Sequence, residues 1–471
     1  MVERRSVAPD VAGSIPVTHP IFATPRVGMS RTNRLTRHRR NRYLFWLLAL
    51  ILCLLNSETT AVSAQRASTT RIQTPNGSAG SNHPSVNTRT YVVLISFDGF
   101  RPDYLNRYNT PHLDHLATTG ISAKSLVSIF PSLTFPAHYS IATGMYPESH
   151  GIVGNRFFDP VRGEYFSYRD RATVEDGTWW GGEPIWVTAE TQGMVTAAFF
   201  FPGTEAAIKG VRPTYWKPYD GQVPNPDRIQ QVLEWLSLPI KQRPHLVTLY
   251  FSLVDRDGHN IGPESPRMQQ SVERADALLG QLTTGIQSLS HAEQVTIVVV
   301  SDHGMAAPDT TQVSVIPEDV DLGQVRTVSV GPMMAMHTGD RGQSLQLRNQ
   351  LNNSLDNASA YLREDIPIHL HHRANRRIGD VFVIPEGTGT VQSTRRENLP
   401  AGMHGWDPTL NDMHGIFMAS GPDLRPGTIL EQVRSIDVYP FLTTLLGLQP
   451  HGEVTGSMTP FEPAFAATAL P

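Results

Sequence analysis

Three aspartates and three histidines set out the chemistry this chain can support. Asp98 closes Ser96-Phe97-Asp98-Gly99, Asp255 and His259 frame Asp255-Arg256-Asp257-Gly258-His259, and Asp302 and His303 are adjacent in Ser301-Asp302-His303-Gly304. Each group stands just beyond an apolar run. His404 lies further on, in Gly402-Met403-His404-Gly405-Trp406-Asp407. Carboxylates and imidazoles in these numbers suit two metal sites of mixed oxygen and nitrogen ligands, with zinc expected first and manganese or iron after it. The sole cysteine, Cys53, sits in an N-terminal apolar run, so an exported chain would have neither thiolate ligands nor a cysteine nucleophile.

Each residue also has a plainer reading. An Asp-Gly pair after a strand is most often a turn, whereas an adjacent Asp and His facing a core are hard to satisfy without a ligand. Asp255 and His259 are spaced so that one loop can offer both to one ion. His414, ahead of an apolar strand, competes with His404 for the sixth position. His369, His371 and His372 fall in the alternating run Ile366 to Arg373, which reads as an exposed strand without a metal role.

A nucleophile is offered by Thr134, in Pro131-Ser132-Leu133-Thr134-Phe135-Pro136-Ala137-His138-Tyr139. The extended run Ser125 to Phe130 gives way there to the helix-like run Tyr139 to Ala142, and a hydroxyl at such a corner faces open space. A threonine hydroxyl is a poor nucleophile near neutral pH unless a base or a metal activates it. His138 is expected to pack beneath it. Asn352 and Asn357 fit glycosylation sequons, which matter only in a host that glycosylates.

Positioning these groups requires a scaffold that collects strand ends. Tyr91 to Ile95, Val195 to Phe200, Leu246 to Phe251 and Val295 to Val300 are apolar on both sides, as strands of a covered parallel sheet are. Helical periods run from Pro111 to Thr119, Pro184 to Gln192, Asp227 to Leu236 and Ser265 to Leu289. The alternation predicts an α/β fold, with a mostly parallel central sheet covered by helices on both faces and ligands gathered outside the carboxyl ends of its strands. Residues 308–400 are less regular, with short strand-like runs at Pro332 to His337 and Asp380 to Ile384, and read as a capping elaboration. After Gly415 to Ala419, a helix-like stretch from Ile436 to Leu446 should pack back on the sheet.

The motifs together resemble the nucleotide pyrophosphatase/phosphodiesterase family of the alkaline phosphatase superfamily. Ser96 to Gly99, Thr134 to Tyr139, Gly154-Asn155 with Phe158-Asp159, Asp255 to His259, Ser301 to Gly304 and His404 to Asp407 appear in that family's order over residues 90–450. The resemblance implies a two-zinc site: Asp255, His259 and His404 hold one ion, Asp98, Asp302 and His303 the other, and the Thr134 oxygen lies between them. It implies a covalent phosphothreonine, with Asn155 donating its amide to a phosphoryl oxygen; the alternative for Asn155 is a turn residue after Gly154. It also implies a nucleobase sandwich between Phe135 and an aromatic of Tyr215 to Tyr219, with Trp216 and Tyr219 as candidates, although these rings could equally be core. Ala137 and Phe201-Pro202-Gly203-Thr204 depart from the common pattern, which bears on base or lipid preference more than on the metals. Two divalent ions with three aspartates leave about +1, which favours a diester monoanion over a monoester dianion unless Arg156 or Arg256 adds charge.

Bulk composition sets the compartment. Arginines at 31, 34, 37, 39, 40 and 42 precede the apolar run Leu44 to Leu55, and Val62-Ser63-Ala64 follows. This is the order of a secretory signal, expected to be cut after Ala64, with Met29 as an alternative start and an uncleaved anchor as the rival. Without residues 1–64 the 39 Lys and Arg fall to 30 and the 43 Asp and Glu to 40, so the formal charge moves from −4 to −10. A chain that acidic is not built to coat nucleic acid. The expected partner is a small nucleotide or other phosphodiester, and the expected location is the periplasm or the exterior, with no membrane span retained after cleavage. Residues 65–89, rich in Ser, Thr, Asn, Gly and Pro, read as a flexible linker, residues 90–450 as the catalytic domain, and residues 451–471 as a loose tail. A phosphomonoesterase, a choline-type lipid-headgroup phosphodiesterase and a non-catalytic zinc or nucleotide binder are the rival readings.

Overall fold

A computed structural model describes residues 80–466, apart from 319, 321 and 397. The expected signal segment and most of the linker lie outside the described residues. The fold is α/β, built on an eight-stranded sheet. Its strands are β1 (Tyr91–Phe97), β2 (Ile121–Val127), β3 (Thr196–Phe199), β4 (Tyr215–Lys217), β5 (Leu246–Phe251), β6 (Val295–Val300), β7 (Phe417–Ser420) and β8 (Thr428–Arg434). They lie in the order β8-β2-β7-β6-β1-β5-β3-β4. All neighbours are parallel except β7, which runs antiparallel to both β2 and β6.

The central strand shows why the sheet must be covered on both sides. β1 is buried along its whole length, and successive side chains point to opposite faces. Val92 and Leu94 enter one core, while Tyr91, Val93, Ile95 and Phe97 enter the other. A strand with two apolar faces is stable only between two layers. One layer contains α1 (Pro111–Thr119), α3 (Asn225–Leu236) and α5 (Met268–Gln287), whose apolar residues Leu113, Ile229 and Leu279 share the second core; α6 (Val438–Leu446) brings Phe441 and Leu442 to the first.

The elaboration holds a four-stranded antiparallel sheet made of Arg326–Val330, Met333–His337, Val381–Pro385 and Ala358–Leu362, with a core of its own. It reaches the Thr134 corner directly: a Cβ on Gly331 would meet Leu133 at 3.0 Å.

Three local expectations are corrected. Ile366 to Arg373 is not an exposed strand: Ile368–Leu370 is a 3-10 turn, His371 is left-handed, and His372 is fully buried between Phe130 and Phe382. The flexible linker does not extend to residue 89, because Asn82 is buried and hydrogen-bonds Ile240, Arg243 and Val195. Nor is the tail loose throughout. Thr459–Ala464 forms a 3-10 stretch that buries Phe461, with Phe465 after it, and Phe465 bridges to Leu424.

Candidate active site

The ends of three neighbouring strands deliver the acids. Asp98 follows β1, Asp302 follows β6, and Asp255 lies in the first turn of α4 (Leu253–Ile261), which starts directly after β5. His259 stands four residues after Asp255 on the same helix, so both face one way. The β1 and β5 ends meet closely, since a Cβ on Gly99 would stand 2.9 Å from the Asp255 Cα. Gly99 also adopts φ +70°, so glycine suits both the approach and the backbone.

The imidazoles are oriented by backbone carbonyls. His259 Nδ1 lies 2.7 Å from Gly402 O, His303 Nδ1 2.8 Å from Gly304 O, and His404 Nδ1 2.8 Å from Ser132 O. A carbonyl only accepts, so each Nδ1 carries the hydrogen, and a ring in its neutral form presents a bare Nε2 lone pair. Those lone pairs face acids and one another. His404 Nε2 is 3.2 Å from His259 Nε2, and the two lie 3.5 and 3.4 Å from Asp255 Oδ1. His303 Nε2 is 3.0 Å from Asp302 Oδ2, 3.5 Å from Asp98 Oδ1 and 3.4 Å from Thr134 Oγ1.

Bare nitrogens and carboxylate oxygens at these separations repel unless a cation lies among them. Asp98 Oδ1, Asp255 Oδ1 and Asp302 Oδ2 are buried without a hydrogen-bond donor in good geometry. The spacings match the edge of a ligand tetrahedron around zinc, about 3.3 to 3.6 Å for bonds of about 2.0 to 2.2 Å. The residues present therefore fit divalent ions. His303 and His404 rings stack at 3.6 Å, so the two ligand groups adjoin.

His138 is near enough to Asp98 and Asp302 to pass for a ligand, but neither of its nitrogens is free. Nδ1 points to Thr134 O at 2.8 Å and Asp302 Oδ2 at 3.1 Å, and Nε2 accepts from Ser96 Oγ at 2.8 Å. It lies under Thr134. His414 is spent on Ser125 Oγ and Pro408 O, at 3.1 and 2.8 Å, and stands outside the cluster.

Electrostatics carries the same message. Burial first, then the charges of Asp302 and Asp255, hold the Asp98 carboxyl well above its usual range, and burial raises Asp255. Asp302 is held well below the usual range because His303 and His138 outweigh its burial. Burial, with His303 and His259 alongside, drives His404 well below an ordinary imidazole. Three clustered carboxylates resist joint ionisation, and a divalent cation reverses that preference.

Thr134 is the first residue of α2 (Thr134–Thr143). The first N–H groups of a helix have no partner within it and create an anion-seeking end. Asn155 Oδ1 accepts one of them, the Phe135 N–H, at 2.9 Å. That contact leaves the Asn155 NH2 as the free end of the amide.

The aromatic candidates separate. Phe135 is half-buried against Phe166 and Trp180. Tyr219 is 42% exposed and packs on Phe200 and Tyr250. Trp216 lies on β4 with Arg212 over its ring at 5.0 Å. The ring that meets Phe135 edge-on is Tyr168, at 5.7 Å and 41% exposed, which the sequence reading missed. Its signal was the pair of short runs around Gly163, because the hairpin Arg156–Asp159 with Glu164–Ser167 returns Tyr168 to Asn155, where Tyr168 N–H donates to Asn155 O at 2.9 Å. Of the two arginines left open, Arg256 pairs with Asp257, and Arg156 is exposed with its guanidinium over Tyr165.

Residues 92–407 match the type I phosphodiesterase/nucleotide pyrophosphatase family. The chain belongs to this family. It is 37% identical over 376 residues to an uncharacterized pyrophosphatase/phosphodiesterase of Schizosaccharomyces pombe, covering 76% of this chain and 77% of that one. It is 33% identical to human ectonucleotide pyrophosphatase/phosphodiesterase family member 1, covering 76% of this chain and 40% of that longer protein. Among solved structures, murine ectonucleotide pyrophosphatase/phosphodiesterase 5, as an inactive threonine-to-alanine variant in complex with AMP, aligns with TM-score 0.75 and 30% identity, covering 80% of this chain and all of that one. As a family member the chain is an enzyme of the nucleotide pyrophosphatase/phosphodiesterase class, a phosphoric diester hydrolase. Among the described residues no helix is long and apolar enough to cross a membrane.

Proposed function

We propose that this chain is an exported phosphodiesterase and pyrophosphatase that releases nucleoside 5'-monophosphates, with Thr134 as the nucleophile. One observation carries the reading: Thr134 Oγ1 stands at the start of a helix, 3.4 Å from His303 Nε2, in a cluster with the carboxylates and imidazoles that follow three neighbouring strands and with His404 from a later loop. Two zinc ions would be held by Asp255, His259 and His404 and by Asp98, Asp302 and His303, and when bound they supply positive charge to the reacting phosphoryl group and acidify the attacking hydroxyl.

The chain's own groups do the rest. Thr134 Oγ1 forms the bond to phosphorus as the bond to the leaving oxygen breaks, giving a nucleotidyl-threonine. Water then attacks the same phosphorus, the Thr134 C–O bond stays intact, and its oxygen departs to reform the hydroxyl. Asn155 donates its free NH2 to a non-bridging oxygen, and the start of α2 favours the anion. Phe135, Tyr168 and Tyr219 offer planar rings to the nucleoside. The murine relative, inactive without its threonine and able to hold AMP, supports this reading. Venom and ecto-enzymes among the relatives support export.

The test assays bis-p-nitrophenyl phosphate beside p-nitrophenyl phosphate, for wild type and Thr134→Ala. We expect preference for the diester and a loss on the order of 10³-fold or more in the variant. Equal diester turnover in the two proteins, or no label on Thr134 after trapping with labelled substrate, would reject the nucleophile.

A further inference from the structure

Asp98 has two oxygens with different surroundings. Oδ1 is buried without a donor and faces His303 Nε2, while Oδ2 accepts the Tyr250 hydroxyl at 2.6 Å. Tyr250 is itself held from several sides. It sits on β5 opposite Ser96 of β1, its ring meets His138 edge-on at 5.3 Å, and Tyr219 approaches at 6.3 Å. Its carbonyl accepts from Arg228 Nη1 at 2.9 Å.

Arg228 is an unusual brace. It is 2% exposed and forms no ion pair among the described residues, and its Nε and Nη2 donate to Val223 O at 3.3 and 3.1 Å. Burying a guanidinium without a carboxylate is costly. What the contacts achieve is a tie between the loop that follows Tyr219 and the strand that carries Tyr250.

We infer that Tyr250 is a positioning residue for Asp98, whose hydroxyl occupies Oδ2 so that Oδ1 alone is presented to the ion shared with Asp302 and His303. A carboxylate free at both oxygens can rotate or bind through both. One held by a short phenol hydrogen bond offers a single oxygen in a fixed direction. The inference rests on the two-ion reading above and extends it to a residue outside the ligand set.

The experiment measures zinc affinity of the full chain by competition with a chromophoric chelator, alongside melting of the metal-free protein. In Tyr250→Phe, one of two sites should weaken by about 10- to 100-fold while the other stays within about twofold, and metal-free melting should fall only by a few degrees, as loss of one buried hydrogen bond dictates. Replacing Tyr250 alone with 3-fluorotyrosine keeps the ring and makes a stronger donor, so the affinity of that same site should shift while the other does not. Unchanged affinities at both sites, or equal weakening of both together with a larger fall in metal-free melting temperature, would overturn the positioning role. A wild-type chain that holds no zinc would overturn the two-ion reading and this inference with it.

Discussion

His404 and His372 are both buried imidazoles whose charged form the surroundings oppose, yet they are built differently. His404 fixes its Nδ1 hydrogen on the Ser132 carbonyl and turns a bare Nε2 toward Asp255 and His259. His372 has no partner on either nitrogen and sits against the edges and faces of Phe130 and Phe382, where burial alone takes its pKa to about 3. Burial therefore does not distinguish a candidate ligand from a core residue. What distinguishes them is a hydrogen committed to a carbonyl on one side and uncompensated carboxylate oxygens on the other.

The sharpest challenge to that distinction is removal of metal. A strong chelator should abolish diester turnover as fully as Thr134→Ala, and added zinc should restore it in the wild type alone; turnover that survives exhaustive chelation would break the comparison. Next in size, His404→Leu should lower the bound zinc measured by elemental analysis by about one equivalent, whereas His372→Leu should leave it unchanged.

The acid limb of stability should respond in the opposite pattern. His150, His245, His337 and His372 are lowered, by burial first, to about 3, 4, 4 and 3. An unfolded histidine titrates near 6.5, so between that pH and the folded value the unfolded chain binds more protons. Their contribution is complete above about pH 6.5 and is lost as pH falls toward 3 to 4, with a slope of about 1.4 kcal/mol per pH unit for each group. His372→Leu should remove one such slope and move the acid unfolding midpoint, followed by circular dichroism, to lower pH. The smallest effect is expected at the mouth: Tyr168→Ala should raise KM for a nucleotide ester by about fivefold, near the worth of one aromatic contact, and leave bis-p-nitrophenyl phosphate nearly unaffected.

Much of the scaffold was legible because its cause is local. Two-sided apolar runs such as Val295 to Val300 have few homes other than a covered parallel strand, and the rule that ligands gather at strand ends brought Asp98, Asp255 and Asp302 into one group. The aromatic candidates were less legible. Trp216 and Tyr219 are close in sequence, but Trp216 belongs to an edge strand and Tyr219 to the loop beyond it, and side-chain placement there depends on Arg212, Phe200 and Tyr250 from other elements. The His369 to His372 run misled for a related reason. Its alternation resembles a strand, but the left-handed backbone at His371 and the ring of His372 between two phenylalanines are set by tertiary packing.

The two ends of the Asn155 amide differ. Its oxygen accepts the Phe135 N–H at the start of α2, and its nitrogen is the end that the proposed mechanism turns to substrate. An alanine scan would confound the two, since losing the side chain loosens the helix end and deletes the donor together. Asn155→Asp separates them, because it keeps an oxygen for Phe135 while removing every hydrogen from the far end. Asn155→Asp therefore keeps the helix end closed while replacing the far donor with a negative charge, and its loss of turnover should exceed that of Asn155→Ala.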